Sequence, residues 1–180
     1  NGMNACHHAV LFNNLNGLNW LISRGASVKQ KDKKGYTLLH HAAGNGNSHI
    51  LEKLLELDIE IDSDPPGTQG ETALTVAAAK NHLPIMDKLL EKGADVNIAD
   101  KYGNTVCHFC AADSNLLEGL KRLVSSKGCL NKKNAGGYTP LGLALYQKNT
   151  PAVKVLLHAN AEVDTVDKHG GTQIHMAAQF

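Results

Sequence analysis

The chain has 180 residues, 42% hydrophobic and 19% charged, with a formal net charge of +1. That is enough apolar material for a continuous core, and so near-neutral a balance argues against broad attraction to nucleic acid or acidic membranes. No run of 18 apolar residues is present to insert directly into a bilayer, and the spacing of Cys6, Cys107, Cys110 and Cys129 is not a disulfide framework, so a reducing compartment, cytoplasmic or nuclear, is expected.

In chain order, one six-residue phrase recurs. It reads Asn4-Ala5-Cys6-His7-His8-Ala9, then Thr37-Leu38-Leu39-His40-His41-Ala42, then Thr72-Ala73-Leu74-Thr75-Val76-Ala77. It continues as Thr105-Val106-Cys107-His108-Phe109-Cys110, Thr139-Pro140-Leu141-Gly142-Leu143-Ala144 and Thr172-Gln173-Ile174-His175-Met176-Ala177. Successive first residues are 33, 35, 33, 34 and 33 apart. Each phrase opens a short helix, and the leading threonine can accept a hydrogen bond from an otherwise orphaned backbone N–H. In the third unit that helix is expected at roughly 73–80, and a second at roughly 84–91 with Pro84 in its first turn. Ile85, Met86, Leu89 and Leu90 share one face. The same seam reads Gly17-Leu18-Leu21-Ile22, Ile50-Leu51-Leu54-Leu55, Gly119-Leu120-Leu123-Val124 and Ala152-Val153-Leu156-Leu157. Gly25 and Gly93 are left-handed stops, with Asp58 and Asn160 in the equivalent places. The link between units two and three is two residues longer, with Asp64-Pro65-Pro66-Gly67 at its tip. Unit four carries its extra residue between its helices, near Asp113-Ser114-Asn115.

A period of 33 with a T-P-L-H-x-A phrase resembles the ankyrin repeat, and the resemblance spans the whole chain. It implies a mainly α fold: an ankyrin-repeat solenoid of helix-turn-helix units with β-hairpin fingers. The domain is 1–180, with units at approximately 1–31, 32–66, 67–99, 100–133, 134–166 and a partial 167–180. Each unit buries its apolar face only against its neighbours. Neither end offers a polar outer face, so further repeats, another domain or a partner is expected to cover one or both ends.

The chemistry-bearing residues mostly have a structural reading. Cys107-His108-Phe109-Cys110 has redox or zinc spacing, but Cys107 and Cys110 stand at core places of the phrase and are read as buried thiols. His7, His40, His108 and His175 are expected to bond neighbouring backbone, as the resemblance implies. His8 and His41, about one repeat apart, are open to a metal or pH-sensing reading, or to partial burial with a local hydrogen bond. Trp20 reads as an outer anchor or as packing against the stem of Lys53, with Gly17 making room for the indole. No phosphate loop, serine elbow or supported carboxylate pair is present, so no enzyme, cofactor or metal is expected.

Ankyrin-repeat proteins bind with finger tips and the exposed side of first helices. Mapped onto this chain, that places the partner-binding residues at Lys33, Lys34, Tyr36, Glu71, Lys101, Tyr102, Tyr138, Tyr146, Lys168 and His169. The fingers alternate basic, acidic, mixed, basic, acidic, a pattern suited to a protein partner rather than to nucleic acid. Asn97, in Leu90-Glu91-Lys92-Gly93-Ala94-Asp95-Val96-Asn97, is similar to the finger asparagine that some ankyrin-repeat proteins present to an asparaginyl hydroxylase. It reads equally as a turn residue bonding its own backbone. The expected function is non-catalytic protein–protein interaction within a larger protein. The alternative is a structural or regulatory spacer of a channel, toxin or multidomain enzyme making intramolecular contacts.

Overall fold

The computed structural model describes residues 2–57, 59–63, 70–125, 128–167 and 170–172. The chain divides into two compact units, 1–95 and 96–180. The first holds three helix pairs: α1 (Ala5–Leu11) with α2 (Leu15–Ser23), α3 (Leu38–Asn45) with α4 (Ser48–Leu55), and α5 (Ala73–Ala79) with α6 (Leu83–Glu91). The second holds α7 (Val106–Ala112) with α8 (Leu117–Val124), and α9 (Pro140–Tyr146) with α10 (Thr150–His158). Helices of seven to nine residues are too short to persist alone in water, so stacking must supply their stability.

Each first helix starts on the phrase. The Thr72 and Thr139 hydroxyls accept from the N–H of Thr75 and Gly142 at 3.3 and 3.2 Å. In three units the phrase histidine completes a reciprocal cap, because the cap residue's own N–H donates to the ring Nδ1. The distances are 3.3 Å for Asn4 to His7, 3.1 Å for Thr37 to His40 and 3.1 Å for Thr105 to His108. Between the helices of a pair the chain turns through one left-handed residue: Asn13, Gly46, Asn81 or Lys148. In unit four the extra residue replaces that turn by a 3-10 turn, Ser114–Leu116, in which Asp113 accepts from the N–H of Asn115 at 2.9 Å. Gly25, Gly93 and Asn160 are left-handed at φ 80°, 84° and 62°, as their stop role requires. Asp58 and the tip 64–67 lie outside the described residues.

The seam is narrower than the sequence pattern. Leu18, Ile50, Leu51, Leu54, Ile85, Met86, Leu89, Leu120, Leu123, Ala152 and Leu156 are buried. The fourth member of each set, Ile22, Leu55, Leu90, Val124 or Leu157, lies at the rim, as do Leu21 and Val153. Side chains in the turns also tie neighbouring pairs. Asn47 Nδ2 donates to the Val10 carbonyl at 2.6 Å, and Asn149 Nδ2 to the Ala111 carbonyl at 2.9 Å, both buried. These bonds reach carbonyls in the last turn of each first helix, where intrahelical donors run out; the Val10 carbonyl also accepts the Asn13 N–H at 3.0 Å.

The expected fingers are short hairpin turns without an extended ladder: the Asp32 N–H donates to the Tyr36 carbonyl, Asp100 to Asn104 and Asn134 to Tyr138, each at 2.9 Å. Among the described residues no strand forms, and only two isolated antiparallel bridges occur, Ala99 with Thr105 and Val166 with Thr172. The tips are also held by a polar side chain folded onto its own loop. The Asp32 carboxylate accepts from Lys34 and Tyr36 N–H at 2.8 and 3.0 Å. Asp100 does the same for Tyr102 and Asn104, and Asn134 for Gly136 and Tyr138. A left-handed glycine follows in each: Gly35, Gly103 and Gly137.

Candidate functional site

The phrase histidines are used in the structure. Because Nδ1 of His40 and of His108 accepts a backbone N–H, the proton sits on Nε2. Each Nε2 then donates to the backbone of the next finger: His40 to the Glu71 carbonyl at 2.9 Å and His108 to the Tyr138 carbonyl at 3.0 Å. Burial lowers the pKa of His40 to about 4, against the opposing effect of its bond to Glu71. His108 is lowered for the same first cause. His7, fully buried, is lowered by burial and then by the neighbouring His41. Its Nε2 faces the Tyr36 carbonyl too loosely to make a hydrogen bond.

In the first compact unit the expected residues Tyr36 and Glu71 meet directly. The Tyr36 hydroxyl donates to Glu71 Oε2 at 2.5 Å, and that bond, before burial, pushes the phenol up to about 12. Two shallow cavities adjoin them. One, of about 210 Å³, is lined by Met3, Asp32, Lys34, Tyr36 and His41. The other, of about 250 Å³, has Tyr36, His40, His41, Glu71, Val76 and Lys80 in its wall. His41 Nε2 lies 3.2 Å from Asp32 Oδ2. Burial raises the Asp32 pKa, but the N–H groups of Tyr36 and Lys34, together with His41, outweigh it and leave the carboxyl net lowered. Lys33 and Lys34 are exposed at the tip. Two rings face His41, those of His7 and Tyr36, with centroids 5.5 and 6.1 Å away; His8 instead stacks on Phe12. Among the described residues no group of three or more His, Cys, Asp and Glu side chains is placed to hold a metal ion.

In the second unit Lys101 Nζ lies 4.8 Å above the Tyr102 ring, which is 58% exposed. Tyr138 and Tyr146 are centred 5.9 Å apart, and the Ala135 N–H joins finger four to the Tyr102 carbonyl at 2.8 Å. Phe109, 40% exposed on α7, adds apolar surface. Lys168 and His169 lie outside the described residues. Some finger charge is already spent between fingers. Lys31 pairs with Glu60 at 3.8 Å, while Lys132 and Lys133 donate to the Asn97 and Val166 carbonyls at 2.6 and 2.9 Å.

His41 takes the partly buried, locally bonded arrangement that the sequence left open for it, whereas Asp32 and Phe109 were not singled out as site residues. A signal was present: the phrase's fifth place varies through His8, His41, Val76, Phe109 and Leu143, and that place points away from the buried leucine and alanine. The Arg24 guanidinium lies 5.0 Å from the Trp20 indole centroid, Lys53 Nζ pairs with Glu56, and the side chain nearest the open face of Gly17 is that of Asn14. One expectation needs correction. Cys107 is not a free thiol. It is paired with Cys129, whereas Cys110 is a buried free thiol pushed up to about 12 by burial. Spacing concealed that pair because Cys129 turns inward at a place whose counterparts face out.

Paired helices capped by the repeated phrase and joined by side-chain-folded fingers define a helical-repeat scaffold. The chain belongs to the ankyrin repeat family: the family model "Ankyrin repeats (3 copies)" matches residues 6–100 and 107–180. It is 30% identical over 174 residues, 93% of its length, to the human transient receptor potential cation channel subfamily A member 1, of which it spans 16%. It is 30% identical over 170 residues to the probable 26S proteasome regulatory subunit p28 of Saccharomyces cerevisiae, covering 91% of this chain and 74% of that protein. Among solved structures, an ankyrin repeat domain from Acinetobacter baumannii AYE superposes with a TM-score of 0.86 at 24% identity, over 97% of this chain and 90% of that one. No helix among the described residues is long and apolar enough to cross a membrane.

Proposed function

We propose that the chain is a non-catalytic protein-recognition module whose finger tips and first-helix faces meet a protein partner. The observation that carries this reading is a division of labour. The phrase histidines are consumed by caps and finger contacts, while Lys33, Lys34, Lys101, Tyr102 and Tyr146 are exposed and Tyr36, Glu71 and Tyr138 are half-buried beside them. Lys33, Lys34, Tyr36 and Glu71 supply the contact surface of the first unit, and Lys101, Tyr102, Tyr138 and Tyr146 that of the second. Lys168 and His169 extend it in sequence. Tyrosine offers wide apolar contact with a polar tip, and complementary charge sets association rate and choice of partner. Asn97 is the residue at which an asparaginyl hydroxylase would act, detectable as one added oxygen on its peptide.

The test is affinity capture with the chain, followed by capture with Lys33→Glu/Lys34→Glu and with Tyr102→Ala. Loss of the same partner in these variants, with melting unchanged, supports the reading. If both retain the partner and Trp20→Ala loses it, the outer helical face is the site. A second reading, a spacer packing against its own longer chain, draws on the human channel relative, of which this chain spans 16%. In that case the captured partner would be another segment of the same polypeptide.

A further inference from the structure

Three features coincide in unit four. Cys107 stands where Leu39, Leu74 and Leu141 fill the core, a place that Cys6 also holds in unit one, and a cysteine leaves room beside it. Gly128 stands where Ala94 and Ala161 are buried and Ala26 is half-buried. Cys129, the next residue, is fully buried, whereas its counterparts Ser27, Asp95 and Glu162 are all exposed. The shift depends on Gly128: a Cβ there would lie 2.9 Å from Val96 Cγ2 and 3.0 Å from Asn97 Nδ2. The glycine brings the backbone close to finger three, and Cys129 rather than residue 128 points at α7. The Cα atoms of Cys107 and Cys129 are 6.0 Å apart, within the span a disulfide bridges.

We propose that Cys107 and Cys129 form a reversible redox staple that fixes the start of finger four against α7, and that reduction lets this segment turn back towards the outward arrangement of its counterparts. The oxidant class is a low-molecular-weight disulfide such as oxidised glutathione. The Cys129 thiolate, beside exposed Gly128, attacks one glutathione sulfur and expels a glutathione thiolate. The Cys107 thiolate then attacks Cys129 Sγ in the mixed disulfide and expels the second. Two thiol protons and two electrons leave the protein, and one glutathione disulfide becomes two glutathione molecules. Cys110, one turn on from Cys107 on the same helix, is buried with its thiolate disfavoured and does not compete. The staple stands apart from the recognition reading and survives its failure, although finger four also carries Tyr138.

The experiment equilibrates the chain in glutathione buffers of graded redox ratio and reads intact mass, non-reducing peptide maps and amide hydrogen exchange. The expected result is reversible loss of two hydrogen atoms mapped to Cys107 and Cys129. Exchange across 128–134 should slow by about tenfold or more on oxidation. Cys129→Ser, which places serine where Ser27 already stands, should abolish both effects, and Cys110→Ser neither. Failure of the bond to form at any ratio, or a bond through Cys110, overturns the proposal. So does a bond that dithiothreitol cannot reduce in the native state, or identical finger exchange in both states.

Discussion

His40 uses both ring nitrogens for structure: one accepts at the cap of α3, the other donates to the next finger. That arrangement requires the neutral ring. Its pKa in the folded chain is lowered to about 4, against roughly 6.5 when unfolded. The unfolded chain therefore binds the extra proton first as pH falls. Stability is fully present above roughly pH 6.5 and is lost as pH drops towards 4, by about 3 kcal/mol from this residue. Denaturant unfolding at steps between pH 7 and 4 should show that loss, and His40→Gln should flatten it while being less stable at pH 7. Tyr36 has the opposite sense. Its neutral phenol is favoured by Glu71, so its contribution is present below roughly pH 10 and fades as pH rises towards about 12. Ultraviolet titration should show one late-ionising tyrosine that Tyr36→Phe removes; an unchanged late phase would rule out this assignment.

At the scale of elements, the caps and the seam do most of the holding. Thr105 is buried, its N–H donates to His108 and its hydroxyl lies 3.0 Å from the same ring nitrogen. Thr105→Ala should cost about 0.5–2 kcal/mol, read as a lower denaturation midpoint without change in slope. Leu89 is fully buried in α6, and Leu89→Ala should cost about 2–5 kcal/mol through the cavity it leaves. Hydrogen exchange should accelerate most in α5 and α6, since each pair depends chiefly on its neighbours. Equal acceleration of every helix would contradict that. The caps, the left-handed glycines and the unit-four insertion were legible because each is a local demand on a few dihedrals. The exposed fourth seam position was not, because a heptad-like pattern registers which side of a helix is apolar and not how far a neighbour covers it.

For the whole chain, a charge of +1 spread over alternating fingers leaves little long-range field. A generic DNA duplex at physiological salt should not retard the chain in a mobility assay. Lys33→Glu/Lys34→Glu should slow association with a protein partner, more at low salt than at high, with stability within about 0.5 kcal/mol of the parent. Equal association rates at both salt concentrations would remove these lysines from the interface.

The sequence by itself determined the family, the helix pairs, their caps and the structural use of the phrase histidines. Those follow from a repeated local code in which every copy reports the same dihedral and packing demands. Only the tertiary structure decided which polar groups meet. It set Glu71 against Tyr36, placed His41 on Asp32, engaged Lys132 and Lys133 with neighbouring carbonyls and turned Cys129 in towards Cys107. The physical reason is separation along the chain. The Tyr36–Glu71 pair spans 35 residues and the cysteine pair 22, and the approach of each depends on the path of the finger between them. A missing Cβ at Gly128 redirects that path, and no period or propensity records it.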